Sequence, residues 1–477
     1  MHVALGISQM RFSIPLGPAY IAAALKRAGH RVSVVHFGPA PDRAIEALRA
    51  SRPDLMAYGM LSGERGAYLA FHRRLTEQLP IPAVWGGPHP TFFPEMIAEE
   101  GLDALCIGEG EEAAVEFVNR FAEIGKLPLD VANFHVRNAD GEIVTNPVRP
   151  LNYDLDRLPF PDRDLFIAAH PILKHHGIKH FIAHRGCPYK CTYCFNQYYH
   201  RIYNDSPPSY RSRSPEQICA EINEVRAKSR LEMVAFVDDV FTLSEEWLTR
   251  FAAVYPRKVG LPYSCNFRLD SCTKEIADLL VASGCHLAYV GIEAGDEAIR
   301  KLFGRKMSDE TIKMALELLH QRNIRTITEN MIGAPGETFE QAFKTLAINM
   351  EVRPTLANCS IFTPYPGLPL TRYAINKGYF DGNFASLGTN YYHKSVLTFA
   401  SEKEKTKITN LRPFFSVLAR HPRLWPLVKP LLTLPPNALL RQFGDLMDGY
   451  YLKKCLPYRQ SPLQFLRILL YYLRAYR

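Results

Sequence analysis

His-Arg-Gly-Cys-Pro-Tyr-Lys-Cys-Thr-Tyr-Cys-Phe-Asn, residues 184–196, is the stretch that decides the fold of this chain. It places Cys187, Cys191 and Cys194 within eight residues, and thiolates at such a spacing in a short loop converge on one metal centre. A structural zinc site or a closed iron–sulfur cluster takes four protein ligands, so three cysteines leave one metal position open. Two alternatives are a zinc knuckle completed by His184 and three unrelated buried thiols.

The sequence after this loop alternates short apolar runs with helical patterns, which predicts a parallel sheet wrapped by helices. The predicted strands are residues 180–184, 233–237, 263–267, 287–293, 326–332 and 357–362. The cysteine loop follows the first of them. Because ligands of such sheets bind at the carboxyl ends of the strands, the loops that follow the strands are the candidate site.

The spacing Cys-x3-Cys-x2-Cys, with Tyr193 directly before the last cysteine, resembles the radical S-adenosylmethionine (SAM) superfamily. The resemblance implies a partial (β/α)6 barrel and a [4Fe–4S] cluster held by Cys187, Cys191 and Cys194. It also implies that SAM binds the open iron and is cleaved reductively to a 5′-deoxyadenosyl radical. This chemistry belongs to the cofactor, while the protein supplies ligation, orientation and exclusion of water.

Polar residues and glycines follow the predicted strands at the places that surround SAM in the resembling family. The residues that the resemblance assigns to SAM are Tyr193, Asp238, Asp239, Asn266, Arg268, Glu293, Gly333 and Glu337. Taken singly, Asp-Asp or Pro-Gly-Glu after a strand is more often a helix cap or a turn. Residues 363–367 end the sixth strand in the same way and are interpreted as a loop on the substrate side.

A second series of strands and helices precedes the barrel and predicts a doubly wound open sheet. Its predicted strands are residues 3–7, 31–35, 55–58, 83–85 and 104–107, and its predicted helices are residues 19–26, 43–50, 67–78 and 111–121. Gly-Glu-Gly-Glu-Glu-Ala at 108–113 superficially matches a dinucleotide fingerprint. Acidic residues at that helix start would repel a pyrophosphate, so nicotinamide and flavin are not expected.

The order of the two domains, with the motifs at 16–20, 85–90 and 107–111, is similar to B12-dependent radical SAM enzymes over about residues 1–400. In these relatives glycines after the strands let the corrin approach the backbone. The residues that the resemblance assigns to cobalamin are Ser62, Gly63, Gly86, Gly87, His89 and Gly108. The chain lacks Asp-x-His-x-x-Gly, the loop through which many cobalamin proteins supply a histidine to cobalt. A degenerate domain that only docks the barrel is the alternative.

The predicted fold class is α/β, with an N-terminal Rossmann-like cobalamin-binding domain, a partial radical SAM barrel and a helical C-terminal region. The predicted boundaries are 1–146 for the first domain, 147–170 for a linker, 171–400 for the radical SAM core and 401–477 for the C-terminal region. Prolines and charged residues between 147 and 166 disfavour helix, so this segment is interpreted as a linker and not as core.

Composition is typical of a globular protein, with 477 residues and 47% hydrophobic content, enough for two or three domains with cores. The ten cysteines show no paired framework and no signal peptide is recognised, which favours reduced thiols and a cytoplasmic location. No uninterrupted apolar run reaches the ~18 residues that span a bilayer.

The excess positive charge is located in the C-terminal region. Residues 401–477 hold 14 Lys and Arg against 4 Asp and Glu, and the rest of the chain holds 43 against 44. Apolar stripes at 424–428, 439–451 and 466–473 lie among these cations, a pattern typical of a helix on an anionic membrane surface or of a lid over a lipophilic substrate. Alternatively, these helices pack on the barrel and expose their charges to solvent. Nucleic acid is not expected, because no binding module is recognisable.

The sequence therefore predicts an oxygen-sensitive enzyme that uses SAM, a [4Fe–4S] cluster and cobalamin to methylate an unactivated carbon. The resemblance implies that the deoxyadenosyl radical abstracts hydrogen, the substrate radical takes a methyl group from methylcobalamin, and a second SAM remethylates cobalt. The expected partners are a lipophilic small-molecule substrate, an electron donor such as flavodoxin or ferredoxin, and the inner face of the membrane. No catalytic side chain stands out.

Three alternatives to this function stay open. One is a cobalamin-assisted cyclisation or rearrangement, as in the anaerobic cyclase of the chlorophyll pathway, which has the same domain order. Another is a radical SAM enzyme without cobalamin. The last is a metal-bound docking module without catalytic activity.

Overall fold

The computed structural model describes residues 1–9, 13–38, 40–203, 210–387 and 393–457. The strands are β1 (His2–Ile7), β2 (Arg31–His36), β3 (Leu55–Gly59), β4 (Ala83–Gly86), β5 (Ala104–Cys106), β6 (Phe134–Arg137), β7 (Ile143–Thr145), β8 (Ile178–Phe181), β9 (His184–Arg185), β10 (Arg211–Ser212), β11 (Met233–Phe236), β12 (Tyr263–Phe267), β13 (Cys285–Glu293), β14 (Arg325–Ile332) and β15 (Leu356–Ile361).

The α-helices lie between and after these strands. They are α1 (Leu16–Arg27), α2 (Pro41–Ser51), α3 (Arg65–Thr76), α4 (Pro88–Phe92), α5 (Met96–Glu99), α6 (Glu111–Ile124), α7 (Arg163–Ala169), α8 (Asn196–Ile202), α9 (Pro215–Lys228), α10 (Glu245–Lys258), α11 (Lys274–Ala282), α12 (Glu297–Leu302), α13 (Asp309–Gln321), α14 (Phe339–Val352), α15 (Pro369–Asn376), α16 (Glu402–Leu411), α17 (Phe415–Arg420), α18 (Trp425–Val428) and α19 (Ala438–Cys455).

The N-terminal sheet has the order β2-β1-β3-β4-β5-β6-β7, in which the first five strands are parallel and β6 and β7 are antiparallel. The five strands predicted from the sequence are present, each within one or two residues of its predicted bounds. The order reverses between β1 and β3, and such a switch opens a crevice at the carboxyl ends of the strands. The antiparallel pair β6 and β7 was not predicted.

Both faces of this sheet are covered by helices, which explains why every residue of β1 is buried. Leu5 packs in one core with Leu25 of α1 and Phe117 of α6. Ala4, on the opposite face, packs in the other core with Leu48 of α2. A strand that is apolar on both sides is expected of a doubly wound sheet.

The second domain is a six-stranded sheet with the order β8-β11-β12-β13-β14-β15, and all of its pairings are parallel. This confirms the predicted partial barrel. The predicted extent of its first strand, 180–184, is wrong, because β8 ends at Phe181 and β9 pairs with β10 in a separate antiparallel sheet. The carboxylate of Asp238 accepts the backbone N–H groups of Ala183 and His184, which turns the chain out of the sheet.

Alternating residues separate the outer and inner faces of the barrel. Val234 and Phe236 point outward into the core beneath α9 and α10. Met233 points inward, where it joins Leu287 and Ile327 at the amino ends of their strands. Tyr451 and Cys455 of α19 pack in the same cluster, so α19 closes the amino end of the barrel.

The segment 147–170 connects the domains, but the interpretation that it lies outside the core is wrong for α7. Phe166 is fully buried in the core of the first domain. Arg163, one turn earlier, forms a buried ion pair of 2.6 Å with Glu221 of α9 and lies 4.6 Å from the ring centre of Phe181. Proline-based reasoning missed this helix because Asp162, which precedes it, caps the N–H of Leu165 and permits a helix directly after the prolines.

In the described part of the chain, no helix has the length and apolar character needed to cross a membrane. The predicted apolar stretch 466–473 and the basic residues after it lie outside the described residues.

Candidate functional site

The cysteine loop lies at the carboxyl end of the barrel and is clamped to the protein by backbone hydrogen bonds. The N–H of Cys194 donates to the carbonyl of Cys191 at 3.1 Å, which closes a turn between these two residues. The N–H of Thr192 donates to Phe303 at 3.1 Å and its hydroxyl donates to the carbonyl of Leu302 at 2.7 Å. Residues at the end of α12 therefore hold the loop in place through hydrogen bonds.

The three cysteines fit an iron–sulfur cluster. All three are free thiols, and Cys187 and Cys191 are buried. Burial raises the pKa of Cys187 to about 12 and that of Cys194 to about 11, so a bound cation is needed to hold them as thiolates at neutral pH. Among the described residues, no three His, Cys, Asp or Glu side chains approach closely enough to share a single ion.

His184 does not take part in this site, which argues against the zinc knuckle. Its Nδ1 lies 2.9 Å from the hydroxyl of Ser212, and its ring stacks on Tyr210 and meets Trp247 edge-on. Burial lowers the pKa of His184 to about 3. The ring is thus a neutral part of the packing between β9, β10 and α10.

Tyr193 and Glu293, both predicted to bind SAM, are joined by an arginine that the sequence did not reveal. Arg305 donates to the hydroxyl of Tyr193 at 3.0 Å and to the carboxylate of Glu293 at 2.7 Å. Burial raises the pKa of Tyr193, and the charge of Glu293 raises it further. Glu293 ends β13 with a positive φ of 67°, so its backbone leaves the sheet at the point where its carboxylate enters this group.

Arg268, a third predicted SAM residue, lies against the cysteine loop. Its guanidinium stacks over the ring of Tyr189, 3.6 Å from the ring centre, and its Nη1 lies 3.7 Å from the sulfur of Cys191. Asp270 holds the same guanidinium through contacts of 2.9 and 2.5 Å. The arginine therefore brings a fixed positive charge to the edge of the cluster site.

Asp238 and Asp239 follow β11 but face different surroundings. Oδ1 of Asp238 is used by the backbone after β8, and its Oδ2 is buried with no hydrogen-bond partner among the described residues. Asp239 is accessible to solvent. Desolvation by the surrounding protein raises its pKa, and a hydrogen bond with Asn196 partly opposes this rise. Asn266 donates to the carbonyl of Asp238 at 2.7 Å and links the ends of β11 and β12.

Glu337 is directed at its own loop and not at an open face. Its Oε2 accepts the N–H groups of Gly333 and Ala334, the latter at 2.8 Å. The side chain is 2% exposed, and burial raises its pKa to about 8. Glu337 thus stabilises the turn after β14. Direct contact of Gly333 or Glu337 with SAM stays a prediction.

A carboxylate on the inner face of the barrel was not singled out in the sequence. Glu329 alternates with Thr328, which bonds Asn349 of the outer helix α14 at 2.6 Å, so Glu329 points inward. Asn358 donates to its Oε2 at 2.7 Å, and no described residue bonds its Oε1. Burial raises the pKa of Glu329 to about 7, and the nearby charge of Glu293 adds to the shift.

Two of the residues predicted to contact cobalamin meet at the carboxyl edge of the first sheet. The hydroxyl of Ser62, after β3, lies 2.9 Å from Nδ1 of His89, after β4. Burial, together with the charge of Arg65, lowers the pKa of His89 to about 4. The imidazole is therefore neutral at physiological pH, with Nδ1 engaged and its ring against Phe93.

Glycines at this edge allow the backbones of two loops to approach each other. Gly87 has a φ of +91°, and a Cβ added there would lie 2.9 Å from the amide nitrogen of Met60. Gly86 accepts the N–H of Met60 at 2.9 Å. Gly63 lies exposed after β3, so this part of the edge is open to a ligand.

Gly108 lies at the same edge, but its open side is filled from the barrel. A Cβ added there would lie 2.1 Å from the hydroxyl of Tyr203, which also accepts the N–H of Glu109 at 2.9 Å. The N–H of Gly108 itself donates to Thr91 at 3.1 Å. Its contact with cobalamin stays a prediction that this packing does not favour.

The acidic residues after Gly108 join the two domains, which explains the Gly-Glu-Gly-Glu motif. Glu109 accepts from Arg185 at 3.2 Å and from Arg211 at 2.6 Å, and Arg185 also contacts Glu111 at 2.5 Å. Burial opposes ionisation of Glu109, but hydrogen bonds and charges from both arginines hold its pKa below its ordinary value. We name these four residues the interdomain ion cluster.

Aromatic contacts complete the junction next to the cysteines. Phe92 of α4 stacks on Phe195, which directly follows Cys194, with ring centres 4.7 Å apart. Tyr365 meets the other side of Phe195 at 5.4 Å. The predicted cobalamin edge thus faces the predicted cluster loop, as transfer between the two cofactors requires.

Sequence reasoning missed Arg305, Arg211, Asp270 and Glu329. No motif marks Arg305, because its contact with Tyr193 spans 112 residues of chain. Arg185 could have indicated the interdomain ion cluster, because it lies inside the quoted cysteine segment with no acidic residue nearby in sequence.

Comparison with known families agrees with this geometry. Residues 181–347 match the Radical SAM superfamily, and residues 11–118 match the B12 binding domain. The chain is a radical SAM enzyme that carries a B12-binding domain. Its cofactors are accordingly a [4Fe–4S] cluster, SAM and cobalamin.

Similar proteins of known sequence include a methyltransferase and a cyclase. The chain is 26% identical to the uncharacterized methyltransferase PH0819 of Pyrococcus horikoshii over 76% of its own length and 78% of that protein. It is 26% identical to the anaerobic magnesium-protoporphyrin IX monomethyl ester cyclase of Cereibacter sphaeroides over 75% of its length. The chain spans only 59% of that cyclase.

Solved structures share the fold of both domains. The cobalamin-dependent SAM radical enzyme OxsB, with aqua-cobalamin and SAM bound, aligns with 95% of this chain and 71% of its own at a TM-score of 0.71 and 14% identity. The radical SAM methyltransferase TsrM of Kitasatospora setae, with tryptophan and a SAM analog bound, covers 79% of this chain and 76% of its own at a TM-score of 0.63 and 18% identity.

Proposed function

We propose that this enzyme methylates an unactivated carbon of a small, lipophilic molecule in a cobalamin-dependent reaction. The observation that carries the proposal is the position of the Ser62–His89 edge beside the cysteine loop, joined by Phe92 and Phe195. When bound, the cluster, SAM and cobalamin would supply a 5′-deoxyadenosyl radical and a transferable methyl group. The similarity to methyltransferase PH0819 supports the same reaction class.

Side chains of the protein would hold the cluster and position SAM. Cys187, Cys191 and Cys194 would hold the cluster, and Arg268 would bring positive charge to it. The Tyr193–Arg305–Glu293 group would position the polar part of SAM, because its members are already fixed by hydrogen bonds before the ligand arrives. Fixed geometry of this kind lowers the cost of placing the reacting atoms.

The substrate would enter the inner face of the barrel. Glu329 and Asn358 offer a hydrogen-bonding pair there, above an apolar floor formed by Leu287, Ile327 and Tyr451. An apolar floor below a single polar pair suits a molecule with an apolar body and one hydroxyl or amine. A one-electron donor such as flavodoxin or ferredoxin would supply the reducing equivalents.

Product analysis tests the methyl transfer. The reconstituted enzyme is incubated anaerobically with SAM, a reductant and an extract of lipophilic metabolites, and the SAM products are quantified. Methyl transfer predicts S-adenosylhomocysteine together with 5′-deoxyadenosine, and SAM labelled with CD3 should give a methylated product about 3 Da heavier than the product formed from unlabelled SAM. Formation of 5′-deoxyadenosine without S-adenosylhomocysteine contradicts methylation.

Cyclisation is the second candidate function, supported by the 26% identity to the anaerobic cyclase. It would yield 5′-deoxyadenosine and a product that has lost hydrogen and gained no label from the methyl group. The labelled-SAM experiment therefore separates the two functions in one measurement.

A further inference from the structure

Helix α19 carries two apolar faces, and only one of them is packed against the protein. Tyr451 and Cys455 lie on the inner face beneath the barrel, and Gly444 contacts Pro413 closely. The opposite face carries an apolar side chain every three to four residues, and these side chains are exposed. It consists of Leu439 at 73%, Phe443 at 39%, Leu446 at 69% and Tyr450 at 50% exposure.

Exposed apolar side chains also occur in the segment that precedes α19. Leu427 of α18 is 69% exposed, and Leu434, before α19, is 39% exposed. Elsewhere in the described chain large exposed apolar side chains occur singly, as Met314 does on α13. Isolated exposed apolar residues are normal, whereas a repeated stripe marks an interaction surface.

Exposed lysines lie around the stripe. Lys429, Lys453 and Lys454 are exposed, and the ammonium of Lys454 lies 4.4 Å from the ring centre of Tyr450. The two acidic residues of α19 are paired with a cation, because Asp445 and Asp448 contact Arg412 at 2.9 and 3.0 Å, and Asp445 is itself 52% exposed. The exposed side of α19 therefore combines leucines with cations.

We propose that the outer face of α18 and α19 binds the surface of a membrane that contains anionic lipids. Leucines and a tyrosine would enter the region between headgroups and acyl chains, while the lysines contact lipid phosphates. A second copy of this chain is a poorer occupant, since the same lysines would face each other across the contact. The surface would place the enzyme where a lipophilic substrate resides.

Vesicle co-sedimentation of the full-length protein tests this proposal. Phosphatidylcholine vesicles are compared with vesicles that also contain phosphatidylglycerol, for the natural protein and for Leu439→Ser/Leu446→Ser. Met314→Ser, which removes an apolar side chain of similar exposure from α13, is the matched control. We expect the leucine variant to bind anionic vesicles at least about tenfold more weakly and the control to be unchanged.

A second variant separates the two contributions to binding. Lys453→Gln/Lys454→Gln should lose the preference for anionic vesicles while retaining the helical content of the natural protein. The proposal is overturned if the natural protein binds neither vesicle, or if the leucine variant binds as tightly as the natural protein. It is also overturned if light scattering shows a dimer that the leucine variant abolishes. None of these readouts depends on methyl transfer, so they stand apart from the proposed activity.

Discussion

The residues of the cysteine loop carry the most specific information in the sequence. Their spacing predicted a cluster site, and the structure adds the clamp from α12 and the neighbouring Arg268. Arg305 and Glu329 could not be predicted, because their roles arise from contacts between strands and loops that are distant in sequence. Spacing thus reveals residues that act together within one loop, and it does not reveal partners that the fold brings together.

Replacing Cys191 with alanine should remove the cluster. The variant should lose most of its bound iron and all 5′-deoxyadenosine formation, because two thiolates cannot hold the cluster in a cleavage-competent state. Iron analysis and product chromatography measure both effects. Cys272→Ala, which removes a free thiol outside the loop, should retain both. Continued SAM cleavage by the Cys191 variant would exclude these cysteines as the cluster ligands.

Glu329 should make the stability of the protein depend on pH. Burial raises its pKa to about 7 from 4.5, so the folded state holds a proton that the unfolded state has released between these values. The free energy of unfolding should therefore fall as the pH rises from 4.5 to about 7. The full shift corresponds to at most about 3 kcal/mol.

Glu329→Gln should remove this dependence, since glutamine stays neutral and can still accept the hydrogen bond of Asn358. Urea unfolding should show the variant close to the natural protein near pH 5 and more stable than it near pH 8. The exposed Glu123→Gln variant is the control. An equal difference between Glu329→Gln and the natural protein at both pH values would contradict the assigned protonation.

At the scale of elements, apolar periodicity predicted every strand of the main parallel sheets. Hydrogen bonds between side chains and the backbone determine where a strand ends, and the periodicity does not reveal them. The predicted first barrel strand ran on to His184, but Asp238 captures the backbone there and ends β8 at Phe181. The antiparallel strands β6 and β7 were missed because they are only 4 and 3 residues long. Helix α7 was missed because the prolines before it obscured its cap.

The interdomain ion cluster should contribute strongly to the contact between the domains. Glu109→Gln would remove the carboxylate that contacts both Arg185 and the 1%-exposed Arg211, and loss of one member of a buried charge pair typically costs about 3–5 kcal/mol. Thermal unfolding and limited proteolysis should show a lower midpoint and faster cleavage between the domains.

A matched control lies on α6, the helix that begins two residues after Glu109. Glu116 pairs with Arg149 at 2.9 Å but is 47% exposed, so Glu116→Gln should cost less than about 1 kcal/mol. Equal losses for Glu109→Gln and Glu116→Gln would show that the buried cluster does not hold the domains together.

At the scale of the whole molecule, the order of motifs predicted the two domains and their reaction class. It could not predict that the carboxyl edge of the first sheet faces the cysteine loop, since that depends on the pairing of Glu109 with Arg185 and of Phe92 with Phe195. The C-terminal region was expected either to pack on the barrel or to lie on a membrane. In the structure α19 packs through one face and leaves the other exposed, so its role differs between its two sides.

The cobalamin content of the purified enzyme tests the central claim most directly. The protein is produced in cells supplied with B12, purified without oxygen, and examined by absorption spectroscopy and cobalt analysis after the cluster is reconstituted. We expect close to one cobalamin and one cluster per chain, with cobalamin lost when Ser62 and His89 are replaced together. A protein that cleaves SAM but retains no cobalamin would contradict this expectation and would reduce the N-terminal domain to a scaffold for the barrel.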